Sequence, residues 1–269
     1  MALTQLIVLA VLQTLAEIFP IGADGHLALI SQILHWPTPD AGFQLALKIG
    51  LLLAVIAYFW RDLAEMITGV IRAAKGKRDS GARLALQLGV AGVLTVAAGS
   101  AFEHYVAGDW ETSIVMGWAI VGGALVLLLF DRMSMTVKRI EHASFADAIV
   151  IGLCQVIALI PGVGSAAVTV TMARLLGYER ADSARFHFLL SIPVSMVLTV
   201  REAYRLFDLQ HGVFSNLDIF CAGACFLAGL IAIAVLMTWL RRSTFTPFVI
   251  YRLLLGIAVL ALAYEWFVL

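Results

Sequence analysis

The chain has 269 residues, of which 62% are hydrophobic and 13% charged, with 18 basic against 18 acidic side chains and a mean hydropathy of +0.96. A water-soluble domain carries roughly 25% charged residues to cover its surface, so the composition excludes an ordinary soluble fold and points to a membrane protein. The zero net charge gives no reason to expect nucleic acid or another polyanion as partner.

The first apolar segment, residues 2–35, begins without a basic region, so no cleavable signal peptide is expected. It is interrupted at 13–26 by QTLAEIFPIGADGH, where Pro20, Gly22 and Gly25 cannot sustain a regular helix and Glu17, Asp24 and His26 are costly in hydrocarbon. A broken helix carrying ionisable groups at membrane depth lines a cavity or substrate path, because lipid cannot satisfy the freed backbone. Gln13 and Glu17 are four residues apart and share a helix face. A hairpin at the break would fold His26 back toward that face. A carboxylate and an imidazole converging in a dry cleft suit proton transfer or activation of a nucleophile. They could equally hold a divalent metal that binds a phosphate. Asp24 reads either as the N-cap of the returning helix or as a nucleophile or metal ligand.

Six segments are long and apolar enough to span a bilayer: 43–60, 84–102, 112–130, 186–203, 218–240 and 247–268. Lys48 lies inside the first of them, where it pairs with Glu17, binds a phosphate, or snorkels to the interface. The 61–83 loop carries Arg61, Arg72, Lys75, Lys77, Arg78 and Arg83 and is assigned to the cytoplasm; the acidic 103–111 loop is assigned outside. A second interrupted segment, 146–177, breaks at Pro161-Gly-Val-Gly164. If it crossed the membrane fully, Arg174, Arg180 and Arg185 would lie outside; as a re-entrant hairpin it leaves them inside, with Arg201 and Arg205 the exceptions. The re-entrant reading fits the charges better. Cys154, Cys221 and Cys225 sit in apolar runs without metal-ligand spacing and read as small buried hydrophobes.

Pro20 precedes FQLALKIG much as Pro161 precedes FHFLLSIP, at nearly the same offset. Two halves of one plan follow, 1–135 and 140–269, each with a hairpin and three spans. An odd span count inverts the second half relative to the first, an arrangement that builds substrate sites at the midplane. The expected architecture is therefore a single all-α integral membrane domain of six transmembrane helices plus two re-entrant helical hairpins in an inverted-topology repeat.

EIFPIGADGH resembles the ExLPVSSTGH motif of the undecaprenyl-pyrophosphate phosphatase family, also called BacA or bacitracin-resistance proteins. FQLALKIGLLLAVIAYFWRDL, the 147–193 region around PGVGSAA, and FTPFVIYRLLLG resemble further family segments, in the same order. The resemblance implies hydrolysis of a C55 isoprenyl diphosphate to the monophosphate, which recycles the lipid carrier of cell-wall synthesis. It implies a protein of the bacterial plasma (inner) membrane; the loop charges put both termini outside, Mg²⁺ or Ca²⁺ is a candidate cofactor for the polar patch, and a homodimer is left open. Carried over by position, Gln13 and Glu17 match the acidic motif, His26 its histidine, and Thr169 the threonine closing the second signature. The expected catalytic set is Glu17, His26 and Asp24, with Glu17 the candidate metal ligand. The expected phosphate-binding set is Gln13, Lys48, Ser165, Thr169 and Arg174, a structural or head-group role being the alternative for Arg174. The departures are substantial. The motif serine is Ala23, the phosphate-binding arginine is Ser165, and its flanking serines are Gly164 and Ala166. Loss of hydroxyl and guanidinium together keeps open a second function, a non-hydrolytic translocase or binder of a phosphorylated lipid.

Overall fold

A computed structural model describes residues 3–36, 39–105, 112–134, 138–209 and 212–265. Apart from one isolated bridge between Lys138 and Tyr178, the regular structure among them is helical. Six helices are long and apolar enough to cross a membrane. They are α3 (Ala41–Tyr58), α5 (Ser80–Tyr105), α6 (Ser113–Met133), α9 (Arg180–Tyr204), α10 (Asn216–Leu240) and α11 (Thr246–Ala263). Each corresponds to an expected span. The acidic part of the 103–111 loop, Asp109 and Glu111 included, lies outside the described residues.

The two interrupted segments form pairs of short helices. In the first, α1 (Leu3–Ile18) stops before Pro20, and α2 (Ala23–Ile33) starts after Gly22, which has a φ of +92° that a side chain would disfavour. In the second, α7 (Phe145–Cys154) continues as a 3₁₀ turn over Gln155–Leu159; α8 (Ser165–Leu175) starts after Gly164 at φ +77°. The ends of each pair come together. Leu6, Ile30 and Trp36 pack on one cluster with Leu9 and Phe43. Tyr178, just past α8, donates its hydroxyl to Asp147 in the first turn of α7 at 2.8 Å.

Helix α4 (Trp60–Ala74) was read only as a basic loop. It places Met66 and Gly69 inward, against α5, while Trp60, Ile67, Val70 and Ile71 stay exposed beside Arg61 and Arg72. Some span ends also lie beyond the apolar run, as at Ser80 of α5 and Arg180 of α9. Helix α9 starts at Arg180, before the apolar run, because Arg180 pairs with Asp131 and Arg185 with Asp62 and Glu141. A hydropathy window stops at a charge; a helix whose charges find partners does not. Arg201, at the opposite end of α9, is likewise paired with Glu103 of α5 at 3.0 Å.

The spans pack as α3 on α10, α6 on α11, and α9 on both α3 and α5. Helix α1 lies on α10 and α7 on α5; α2 lies on α11 and α8 on α6. Small residues permit this. A Cβ on Gly50 would meet the Ala222 carbonyl, and one on Gly152 would lie 2.7 Å from the Ala91 carbonyl. Large apolar side chains such as Leu53, Trp118, Leu125, Ile231 and Leu254 face outward, as a lipid-facing surface requires. Pro193 inside α9 removes one helical donor and sits against Gly92, the residue on α5 with room for its ring. Cys221 and Cys225 are buried, as expected, and Cys154 is partly so.

Candidate functional site

The two helix breaks meet tip to tip. Asp24 accepts the Gly162 N–H at 2.9 Å, so a carboxylate of the first hairpin holds the backbone of the second. Arg252 of α11 closes the contact from the other side. Its Nε donates to the Ile120 carbonyl at 3.2 Å, and its Nη2 donates to Gly162 and Val163 at 2.9 and 2.7 Å. The residue is fully buried, yet Nη1 has no partner. A guanidinium with a donor left over inside a protein is held for something.

Between the tips is a cavity lined by Glu17, Pro20, Gly22, Ala23, Asp24, Gly164, Ser165, Ala166, Ala167 and Arg252. Both α2 and α8 begin at it, and neither N-terminus has a side-chain cap. Each therefore presents backbone N–H groups and the positive end of its dipole to the same space, the usual setting for a phosphate group. Two helix N-termini and Arg252 thus line the cavity that lacks the side chains absent at Ala23 and Ser165.

A second cavity, of about 170 Å³, adjoins the first through Glu17 and Ser165. Gln13, Glu17, Lys48 and His187 line it together with an apolar wall of Leu47, Leu51, Leu52, Val55 and Leu198. Gln13 Oε1 and His187 Nδ1 are buried here without hydrogen-bond partners. A third cleft shares Lys48, Ser165, Ser191 and Ser195 with the second, and ends at Glu103, Arg201 and Glu202.

Of the expected residues, Gln13, Glu17, Asp24, Lys48 and Ser165 line these cavities. Glu17 is exposed to the cleft, and among the described residues it is the carboxylate common to both inner cavities. Lys48 pairs with Glu202 rather than Glu17, at 2.6 Å and with its side chain 47% exposed. Asp24 is not a cap: it spends one oxygen on Gly162, as above, and caps nothing in α2.

Three expected residues lie elsewhere. His26 is buried behind the first break, with Nδ1 2.7 Å from the Gly22 carbonyl and Nε2 2.7 Å from the Tyr251 hydroxyl. A carbonyl only accepts, so Nδ1 carries the proton and Nε2 accepts from Tyr251. The ring is also stacked on Tyr251 and lines neither inner cavity. Its geometry is that of a strut for the left-handed turn. Thr169 is fully buried and donates to the Ser165 carbonyl at 2.8 Å, inside α8. Arg174 is 1% exposed and is taken up by Asp131, at 3.1 Å, and by the Tyr178 carbonyl, far down α8 from its N-terminus. For Arg174 the structural alternative is what the contacts support.

Arg252 and His187 were missed. Both are polar residues inside apolar spans, and that alone was a readable signal. Both stand inside family-like segments, His187 in FHFLLSIP and Arg252 in FTPFVIYRLLLG, but the resemblance gives neither a role.

Residues 6–258 match the bacitracin resistance protein BacA family. A protein of Rhodospirillum rubrum named undecaprenyl-diphosphatase 1 is 45% identical, over 98% of this chain and 96% of its own length. One of Paramagnetospirillum magneticum with the same name is 36% identical, over 98% of each chain. An undecaprenyl-diphosphatase of Ruegeria pomeroyi is 37% identical, over 98% of this chain and all of its own.

Proposed function

The chain belongs to the bacitracin resistance protein BacA family, and from that premise we propose that it is an integral membrane undecaprenyl-diphosphatase. It hydrolyses an isoprenoid lipid diphosphate to the lipid monophosphate and inorganic phosphate. The observation that carries the chemistry is the convergence of two uncapped helix N-termini, Arg252 and Glu17 on one cavity.

The diphosphate binds between the hairpin tips, its oxygens on the N–H groups of α2 and α8 and on Arg252. The apolar wall beside Glu17 takes the first part of the prenyl chain. Glu17 takes a proton from a water that attacks the terminal phosphorus. The bridging P–O bond breaks and its electron pair leaves with the lipid monophosphate. Donors fixed before the reaction stabilise the charge without reorganising, which is where most of the rate gain in such sites arises. Backbone donors and Arg252 offset the loss of the motif serine and arginine, so the carrier reading loses its motive; the relatives, named as phosphatases over nearly their whole length, do not favour it.

No group of three or more His, Cys, Asp or Glu side chains is arranged for a metal among the described residues. What fits is an ion of the kind held by one or two carboxylates together with substrate phosphates. Glu17 and Asp24, on the wall of the hairpin cavity, would hold Mg²⁺ or Ca²⁺ there, where it would neutralise charge on the diphosphate.

Both hairpins are re-entrant in this reading. Helices α1, α2, α7 and α8 have 16, 11, 10 and 11 residues, short of the roughly 20 that cross a bilayer, and each pair returns to where it began. Most packing pairs exchange onto one another when α1, α2, α3, α5 and α6 are replaced by α7, α8, α9, α10 and α11, the α8–α9 contact being the main one without a counterpart, and this supports two inverted repeats, 1–135 and 140–269. Asp62, Glu141 and Arg185 meet at one end, so the basic 61–83 and 174–185 segments lie together. By the positive-inside rule that end is cytoplasmic, which puts both termini outside the plasma membrane.

The test is phosphate release from undecaprenyl diphosphate by purified protein, with and without Mg²⁺ or Ca²⁺. Release well above a Glu17→Ala control is expected. Equal release by the two overturns the assignment.

A further inference from the structure

His187 has no task in the chemistry above. It lies on α9 with Ser191, Ser195 and Thr199, each four residues from the last, and all four line the cavity beside Glu17. Four-residue spacing puts them on one helix face. A polar stripe within an apolar span faces a polar occupant, since lipid or an apolar core would reject it.

The members of the stripe are not alike. Ser191 satisfies its hydroxyl on the Phe188 carbonyl of its own helix at 2.7 Å. His187 is 5% exposed and its Nδ1 has no partner. Packing does not explain the imidazole. It tilts against Phe188 at 5.2 Å between ring centres, a contact that a phenyl ring would make without burying an unpaired nitrogen. The occupant that would satisfy it is indicated by its neighbours. Lys48 and Ser165, the first residue of α8, line the same cavity and favour an anion, and Leu47, Leu51 and Leu52 beside them favour a hydrocarbon.

We propose that His187 is a substrate-binding residue, an N–H donor from α9 to the diphosphate of the lipid. The proposal rests on the phosphatase reading and deepens it: the head group is gripped on one side by the hairpin tips and Arg252, and on the other by the imidazole. A hydrogen bond, rather than a titration, is the role assigned.

The experiment compares phosphate release from undecaprenyl diphosphate by full-length wild type, His187→Phe and His187→Asn, each with its thermal midpoint. Phe keeps the ring against Phe188 and loses the donor; the Asn amide reaches the position of Nδ1. A donor to a charged phosphate predicts that His187→Phe raises KM by roughly 10- to 100-fold at an unchanged midpoint. His187→Asn stays within about threefold of wild type, well inside one hydrogen bond's worth of affinity. If Phe does not fold, Ala against Asn gives the same contrast. Wild-type kinetics in His187→Phe, or equal impairment of the Asn and Phe variants, overturn the role of His187 alone. A wild type that releases no phosphate overturns the phosphatase reading with it.

Discussion

Two groups of buried polar residues in this protein are built on opposite principles. At one end of the bundle Asp131 accepts from Arg174 at 3.1 Å, from Arg180 at 2.7 Å and from the Phe245 N–H at 3.3 Å. Arg174 spends its remaining nitrogens on the carbonyls of Tyr178 and Asp131. The chain ends of α6, α8, α9 and α11 are tied there and nothing is left over. Around the hairpin tips the reverse holds: Arg252 Nη1 at the tips, and Gln13 Oε1 and His187 Nδ1 in the adjoining cavity, are buried without partners, as is Arg201 Nε at the outer cleft. A satisfied buried cluster is architecture. Unsatisfied buried atoms cost free energy that a bound polar group recovers, and three of the four among the described residues lie along the two adjoining cavities that share Glu17.

The contrast is open to attack by substitution, and Asp131→Ala is the most severe. It strands one arginine in the interior and a second beside it, so it should cost about 3–5 kcal/mol, read as a large fall in the thermal midpoint. Residual activity per folded molecule should be near wild type. The Glu17→Gln substitution should do the opposite, leaving the midpoint unchanged while lowering kcat by roughly 10²- to 10⁴-fold, the range for loss of a general base. Arg252→Gln should show both faces of that residue. Three carbonyls lose a charged donor, so the midpoint falls, and the surviving folded protein binds substrate roughly 10- to 100-fold more weakly. Ser165→Arg in that background should recover part of the affinity, because it returns a guanidinium to the same cavity wall.

The Lys48–Glu202 bridge sits at the small end. With 47% and 31% of its side chains exposed, it should contribute about 0–1 kcal/mol, and Glu202→Gln should barely move the midpoint. A large effect there would mean that the outer cleft, where Arg201 also pairs with Glu103, is a gate whose closure matters to folding.

Most of this architecture could be read from the sequence because hydrocarbon is an unforgiving solvent. Six apolar runs became six long helices, and the two Pro–Gly interruptions became two helix breaks. Helix α4 escaped because its amphipathic face, with Ile67, Val70 and Ile71 interleaved with Glu65 and Arg72, averages out in any hydropathy window. Helix ends shifted wherever a charge had a distant partner, as Arg185 has in Asp62, and pairing over such separations leaves no local trace. At the site, Gln13, Glu17, Asp24 and Ser165 were placed by motif and spacing, and they do line the cleft. His26, Thr169 and Arg174 share the motif, but their hydrogen bonds are spent on backbone or on Asp131. A motif shows which residues occur together, not which of them face the substrate. Arg252 was visible as an arginine in the apolar run after Thr246, but its convergence with Gly162 joins residues 90 apart.

Binding of a lipid diphosphate whose bridging oxygen is replaced by methylene tests the central claim most directly, because the analogue occupies the cleft without reacting. Arg252 and the two uncapped helix N-termini at the hairpin tips predict saturable binding by wild type. Arg252→Gln should weaken it at least about tenfold, and Glu202→Gln should leave it unchanged. Equal affinity in wild type and in folded Arg252→Gln would contradict the assignment of the cleft to the diphosphate.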